Sequence, residues 1–420
     1  MNHKLIKVFL LAVGLSVWTH AEAQQPAPLY DESQVPKFTL PDLLRLSDGT
    51  PVTSRKIWEK KRRTELMELF ASQEYGRTPR EKLKITHELL RENKAALDGL
   101  ATEQQVRFTF YGQGRKVEAL LLVYVPNQRQ GRVPTFVSYN FRGNHSMSTD
   151  ESILYSPYFN RLTNREDPVL VRNNQASRWP IADIVKRGYA VATMCYQDLF
   201  PDNAKGRPES VAALFKDDTD RQPDSWNAIG VWAWGYSRIA DWVVKQPWAD
   251  RKKLIVLGHS RLGKTALWAG VQDQRFPVVI SNCSGCSGAA LSKRQYGETV
   301  GKINQSFPHW FCPAYKQYSW NESRMPFDQH ELLALVAPRH LYVVSAEEDR
   351  WADPKGEFLS THYASPVWKL YGLQGIEQET MPQVNQPIMT DVGYHIRTGV
   401  HDVTPYDWQQ YMNFCDRVLR

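Results

Sequence analysis

Cysteine is scarce. Five cysteines in 420 residues, at positions 195, 283, 286, 312 and 415, are too few to staple a chain of this size, so a packed core must carry its stability. Cys283 and Cys286 form a C-x-x-C without a second pair at metal-ligand spacing, which argues against a structural zinc site. An exported chain could form a disulfide, but the spacing assigns no pairing. Long apolar runs are missing as well: the stretch from Val8 to Val17 is too short to cross a bilayer. There is no internal repeat and no low-complexity tract, which excludes solenoids and compositional linkers. Nor is charge of one sign concentrated. The formal net charge of +7 is spread along the chain except at Lys60-Lys61-Arg62-Arg63, which lies in a helical pattern among Glu59, Glu65 and Glu68. That run reads as a solvated helix face and not as a nucleic-acid patch.

What is present begins with an address. Lys4 and Lys7 precede the short apolar run, and Ala21-Glu22-Ala23 offers the small residues that a signal peptidase cuts after. Residues 1–23 are therefore expected to be removed. The mature chain would start near Gln24 with a formal charge of +6, since two lysines and one glutamate leave with the leader. Periplasm and extracellular space both fit such a chain. A mild positive field favours polymers that carry carboxylates. With 42% hydrophobic and 23% charged residues the remainder suits a folded globular protein with a sizeable core.

The pattern changes along the chain. Ser54 caps a helical stretch to about Gln73 whose apolar side holds Ile57, Leu66, Leu69 and Phe70. Val106, Phe108 and Phe110 alternate, and so do Val117, Ala119, Leu121 and Val123 after the turn Gly112-Gln113-Gly114, which predicts a hairpin. Then short apolar runs at residues 135–138, 190–193, 254–257, 278–280 and 341–344 alternate with helical stretches, as buried parallel strands do. Ile229, Trp232, Ala233, Tyr236, Ala240 and Val243 fall at helical spacing before Pro247. A last helix starts with Thr404 as cap, Pro405 in the first turn and Asp407 three residues after the cap, and buries Trp408, Met412, Cys415 and Leu419. The expectation is an α/β fold: a mostly parallel sheet with helices on both faces, an antiparallel hairpin at its N-terminal side, and a helical and extended extension over 24–95 packed on a main domain over 96–420. Two long polar connections, 144–177 and 198–224, follow predicted strands and are candidate walls of a crevice at the strands' carboxyl ends.

One turn carries chemistry. The order strand, Gly258-His259-Ser260-Arg261-Leu262-Gly263, helix is that of a nucleophile elbow, although the second glycine of G-x-S-x-G comes one place late, with Leu262 in its slot. The alternative is a serine that merely caps a helix. A hydroxyl needs a base to take its proton and an acid to orient that base, and in such folds they follow in the order acid, then histidine. Asp349, at the end of a predicted strand, and His401, just before the last helix, supply that order. Glu347, Glu348 and Asp353 compete for the acid, and His395, in a predicted strand, competes for the base. The backbone N–H of Arg261 and its side chain are candidate oxyanion donors, and residues 138–146 could add further backbone donors.

The stretches GHSRLGKTALWAG, NCSGCSGAALSKRQYGETV, FPHWFC, LLALVAPRHLYVVSAEEDRWADPKGEF and GYHIRTGVHDVTPYDW together resemble the bacterial glucuronoyl esterases of carbohydrate esterase family 15, from about Trp232 to the C-terminus and more weakly back to about residue 100. The resemblance implies an α/β-hydrolase that cleaves the ester between a glucuronic acid side group of xylan and a lignin alcohol, with no metal or organic cofactor. It makes Ser260 the nucleophile, His401 the base and Arg261 the oxyanion side chain, with Lys264, Glu298 and Trp351 binding the uronic acid. Many members carry the catalytic glutamate where this chain has Cys283, and a thiol cannot do that work, which returns the role to Asp349. Fungal members flank the serine and histidine with cysteines where His259 and Asp402 stand here, so that disulfide is absent. The expected partner is glucuronoxylan or a lignin–carbohydrate ester; nucleic acid and a membrane span are not expected, and the chain is expected to be a monomer. Two other readings stay open: an acetyl xylan or feruloyl esterase on the same fold, and an exported polysaccharide-binding protein whose elbow has lost catalysis.

Overall fold

The computed structural model describes residues 27–157, 171–216 and 222–419. The expected signal peptide lies outside them. Ten strands form one sheet: β1 (Lys84–Ala96), β2 (Ala101–Gly112), β3 (Arg115–Pro126), β4 (Val133–Asn140), β5 (Ala190–Cys195), β6 (Ala249–His259), β7 (Val278–Asn282), β8 (His340–Ala346), β9 (Ile388–Met389) and β10 (Val392–Arg397). Their spatial order is β1-β2-β3-β5-β4-β6-β7-β8-β10-β9. From β5 through β10 every neighbouring pair is parallel, and the antiparallel pairs lie at the two ends. The fold is thus the expected sheet with an antiparallel N-terminal side.

Alternation within the strands builds two cores. Val137, Val256, Val279 and Val343 belong to one apolar layer, while their chain neighbours Phe136, Ile255, Ile280 and Val344 belong to the layer on the opposite face. A strand buried on both faces has no place for polar residues, which is why these runs read as continuous. In the hairpin, Val106 pairs with Leu121, Phe108 with Ala119 and Phe110 with Val117. The sequence pattern missed β1, which is rich in Lys, Glu and Arg and largely exposed: a charged edge strand pairs through its backbone and needs no apolar stripe. It lies in the stretch read as an extension and is part of the same sheet.

Among the helices are α1 (Arg63–Gln73), α2 (Ala228–Val243), α3 (Arg261–Gln272) and α4 (Pro405–Val418). Ser54 caps the chain ahead of α1 by accepting a hydrogen bond from Ile57 N–H, and one π-helical segment, Trp58–Arg62, intervenes. The reading of Lys60 to Arg63 as a solvated face holds for the two exposed lysines only. Arg62 is buried, with its guanidinium 2.5 Å from Glu331, and Arg63 donates to the carbonyl of Val271. A charge run placed over an acidic residue elsewhere in the chain leaves no local signal of that partner. α3 lies directly on β7: a Cβ on Gly270 would stand 2.4 Å from the Val279 side chain. α4 has the expected capping box of Thr404 and Asp407, and it buries Trp408, Met412 and Cys415, with Leu419 half-buried at its end.

Candidate active site

β6 ends at His259, and the chain turns through Ser260 into α3. Ser260 has φ 59° and ψ −130°, a conformation that a non-glycine residue adopts only under strain and that is typical of functional turns. Its side chain makes no capping hydrogen bond, so the helix-cap reading fails. The turn is tied down through its backbone: Ser260 N–H donates to Asn282 O at 2.8 Å, and Gly263 N–H donates to Ser260 O at 2.8 Å. Both glycines are structural. A Cβ on Gly258 would sit 1.8 Å from Leu262 O, and one on Gly263 would sit 2.9 Å from Ser284 Cβ at the end of β7. Leu262 is fully buried, so its slot in the motif belongs to the core.

The candidate acid and the candidate base meet. His401 Nδ1 lies 2.5 Å from Asp349 Oδ2; the carboxylate is buried and the imidazole is 40% exposed. The competitors are occupied or solvated. His395 is fully buried, with Nε2 2.9 Å from Asp407 and Nδ1 2.9 Å from Tyr342 OH. Asp353 pairs with Arg294 and caps a helix, while Glu347 and Glu348 are exposed. Arg397 fastens the loop that carries His401, donating to the carbonyls of Thr398, Val400 and Asp402 while paired to Asp407 at 2.8 Å. His259, the residue before Ser260, packs its ring against that of His401 at a centroid distance of 4.5 Å, which brings the imidazole to the elbow. Burial, followed by the neighbouring His401 and Arg178 charges, pushes His259 well below its ordinary value, so it is neutral against the base. Among the described residues no hydrogen bond closes between Ser260 Oγ and His401; such contacts commonly tighten only with substrate in place.

Arg261 is held by a residue that sequence reasoning missed. Its guanidinium pairs with Asp202 in the second long connection, whose carboxylate also accepts from Tyr196 OH at 2.7 Å, Trp310 Nε1 at 2.7 Å and His309 Nε2 at 2.8 Å. Burial raises the Asp202 pKa. The hydrogen bond from His309, the Arg261 charge and the bonds from Trp310 and Tyr196 outweigh that and hold it well below its ordinary value. The guanidinium lies 4.8 Å from the Trp310 ring centroid and 5.4 Å from that of Phe307. Phe141, from the predicted 138–146 stretch, adds a ring at 6.0 Å. Arg178, which directly follows the first long connection, reaches the site as well, paired with Asp402 beside His401. A lone Asp in a polar loop carries no pattern; only the count of donors around it marks it.

One turn along α3, the ammonium of Lys264 is buried, donates to the carbonyls of Ser284 and Cys286, and stands 3.8 Å from Glu298. Burial pushes Glu298 up, and the Lys264 charge pulls it back. Glu298 N–H donates to the Trp351 carbonyl at 2.9 Å, and the Trp351 side chain is exposed. The three residues thus share one wall. Cys283, Asp349 and His401 bring donor atoms within 4.8 Å of one another, a spacing a metal ion could use. The chemistry of the donors opposes it: burial and the Glu357 and Asp349 charges push the Cys283 thiol well above its ordinary value, whereas a metal is bound by thiolate.

Residues 147–372, more than half of the chain, match the family described as glucuronyl esterase of fungi. The chain is 42% identical to a carbohydrate esterase from an unknown prokaryotic organism, with 97% of each chain covered. Among solved structures it resembles a glucuronoyl esterase from Solibacter usitatus (TM-score 0.86, 42% identity, 91% of this chain and 99% of that one). It resembles equally a promiscuous esterase of the same family from a marine bacterial metagenome (TM-score 0.85, 42% identity, 93% of this chain and all of that one). On this evidence the chain belongs to the glucuronyl esterases, carbohydrate esterase family 15.

Proposed function

We propose that the protein is a serine esterase that hydrolyses the ester between glucuronic or 4-O-methylglucuronic acid side groups of xylan and lignin alcohols. The carrying observation is the hydrogen bond from His401 to buried Asp349 beside a serine held in a strained elbow. Ser260 Oγ attacks the C6 carbonyl while His401 Nε2 takes its proton. Asp349 keeps the other imidazole nitrogen protonated and stabilises the imidazolium that forms. The developing oxyanion is met by the Arg261 guanidinium and by backbone N–H groups at the start of α3, which point out of the helix without intrahelical partners. His401 then gives the proton to the departing alcohol, and water repeats the sequence on the acyl-enzyme. Lys264, Glu298 and Trp351 bind the sugar hydroxyls and ring.

Hydrolysis of benzyl glucuronate against 4-nitrophenyl acetate, with Ser260→Ala as control, tests this. Rapid glucuronate cleavage that Ser260→Ala abolishes is expected. Acetate cleavage alone would select an acetyl xylan or feruloyl esterase, and turnover of neither would leave a binding protein. One structural relative is a promiscuous esterase, which favours measuring both. We propose in addition that residues 1–23 direct export, which N-terminal sequencing of the secreted protein checks, and that the mature protein is a monomer. No helix among the described residues is long and apolar enough to cross a membrane.

A further inference from the structure

Among the described residues two tryptophans are exposed, Trp351 at 40% and Trp320 at 41%. Trp351 stands at the proposed uronic acid site. Trp320 stands on a short helix, Val300–Ser306, that starts two residues after Glu298. The indole lies flat on Gly301: a Cβ on that glycine would run into three ring atoms, Cδ2, Cε2 and Cε3, at nearly equal range, so only a bare backbone leaves room for the ring. The turn that carries Trp320 is pinned to the same helix on both sides. Asn304 Nδ2 donates to Ser319 Oγ at 3.0 Å, and Val300 N–H donates to the buried Glu322 carboxylate at 2.9 Å. Trp320 itself has φ 60°, a backbone region that suits glycine. These anchors thus hold a bulky residue in a strained turn, with one face of its ring on the helix and the other in water. Lys302 brings its ammonium to 5.7 Å from the ring centroid.

We infer that Trp320 is a subsite for the main chain of the substrate, where a xylose ring of the xylan backbone stacks on the open indole face; the inference rests on the esterase reading above. The uronic acid is a side group, joined to the main chain by one glycosidic bond. With the uronic acid held at Glu298 the main chain passes close by, and Gly301, the seat of the indole, lies three residues on, at most about 10 Å along the chain. A pyranose ring offers a face of C–H groups that fits an indole, and its equatorial hydroxyls point outward to the rim, where the Lys302 ammonium can donate to them. Trp320 is tied to the segment that carries Glu298, and not to the loop that carries His401, where the departing alcohol takes up its proton. A sugar is therefore its occupant and a lignin arene is not. The stacked xylose is remote from the ester, so it is held equally before and during the reaction. Such uniform binding shows in KM and leaves kcat unchanged.

The test compares wild type, Trp320→Gly and Trp320→Tyr on three substrates: methyl glucuronate, benzyl glucuronate, and a methyl glucuronate ester borne as a side group on a xylo-oligosaccharide. Glycine suits φ 60°, so Trp320→Gly removes the ring without straining the turn, and urea unfolding checks that the fold is kept. In Trp320→Gly the KM for the xylo-oligosaccharide ester is expected to rise about tenfold with kcat unchanged, while both simple esters stay within about twofold of wild type. Trp320→Tyr keeps a ring and should stay within about threefold of wild type on all three. An unchanged KM for the xylo-oligosaccharide ester, an equal loss on it and on methyl glucuronate, or a loss confined to benzyl glucuronate would overturn the inference, the last by giving the indole to the arene. Wild-type protein that leaves all three esters intact would instead refute the esterase reading, and this inference with it.

Discussion

Replacing Asp202 with asparagine removes one charge from a site where four donors converge, and the geometry fixes the loss. Arg261 and Tyr196 share Oδ2, while His309 and Trp310 share Oδ1. An asparagine turned to keep its oxygen toward His309 and Trp310 sets its NH₂ against the guanidinium, a donor facing a donor. The opposite rotamer forfeits two bonds instead of one. Either way a charge-assisted hydrogen bond is lost, and about 2–3 kcal/mol of stability with it. Because Asp202 is held below its ordinary value, its contribution is present at neutral pH and lost only under strong acid, so assays near pH 7 read the full effect. The Arg261 side chain, 27% exposed, is then free to turn toward water. Losing an oxyanion donor costs on the order of 3 kcal/mol in the barrier, about a hundredfold in rate. Asp202→Asn should therefore lower kcat/KM for benzyl glucuronate by about 10- to 100-fold, and urea unfolding should show the stability loss separately. In an Arg261→Ala background the same change should cost activity little more, since both act on one interaction. Asp202→Asn with the expected loss of stability and kcat/KM within about twofold of wild type would refute the idea that Asp202 aims Arg261 at the substrate.

Asp349→Asn should keep the fold and lose on the order of 10⁴-fold in kcat, because an amide opposite Nδ1 favours the wrong histidine tautomer and the neutral Cys283 thiol cannot substitute; near-normal turnover would dismiss Asp349 as the acid. Gly258→Ala places a methyl 1.8 Å from a backbone carbonyl of the elbow, so soluble protein with wild-type activity would contradict the turn as described. Burial lowers His330 from 6.5 to about 4, so the folded chain refuses a proton that the unfolded chain accepts. Stability should fall as pH drops from about 6.5 toward about 4, by about 3 kcal/mol from this group, and the slope between pH 7 and pH 4.5 should flatten in His330→Gln.

The residues legible from sequence were those whose role leaves a local pattern. β4 to β8 showed as apolar runs because both faces of the sheet are covered, and the last helix showed through its cap. Ser260, Asp349 and His401 stand out as candidates because chain order and element ends restrict where such groups stand. Asp202, His259, β1 and Arg62 fall outside any such rule. Asp202 draws its four donors from residues 196, 261, 309 and 310, and Arg62 pairs across 269 positions. Contacts of that range depend on how the elements pack, which one sequence does not display.

That packing also accommodates the proposed acid–base pair beside a cysteine at 283. Cys283 N–H donates to Val344 O, which sets the thiol at the seam of β7 and β8, beside Asp349 and His401. A carboxylate there would lie close to Asp349 and to Glu357, whose own burial already raises it to about 8. Crowding anionic groups in one dry pocket drives one of them to take up a proton. A neutral thiol avoids that competition and leaves Asp349 as the anion that faces His401. Its neighbour on the other side, His259, is neutral for a related reason: it is buried, and a second positive charge against His401 is unfavourable. The imidazole of His401 thus has the Asp349 carboxylate on one side and an uncharged ring on the other, an arrangement that would favour the proton it is proposed to take from Ser260.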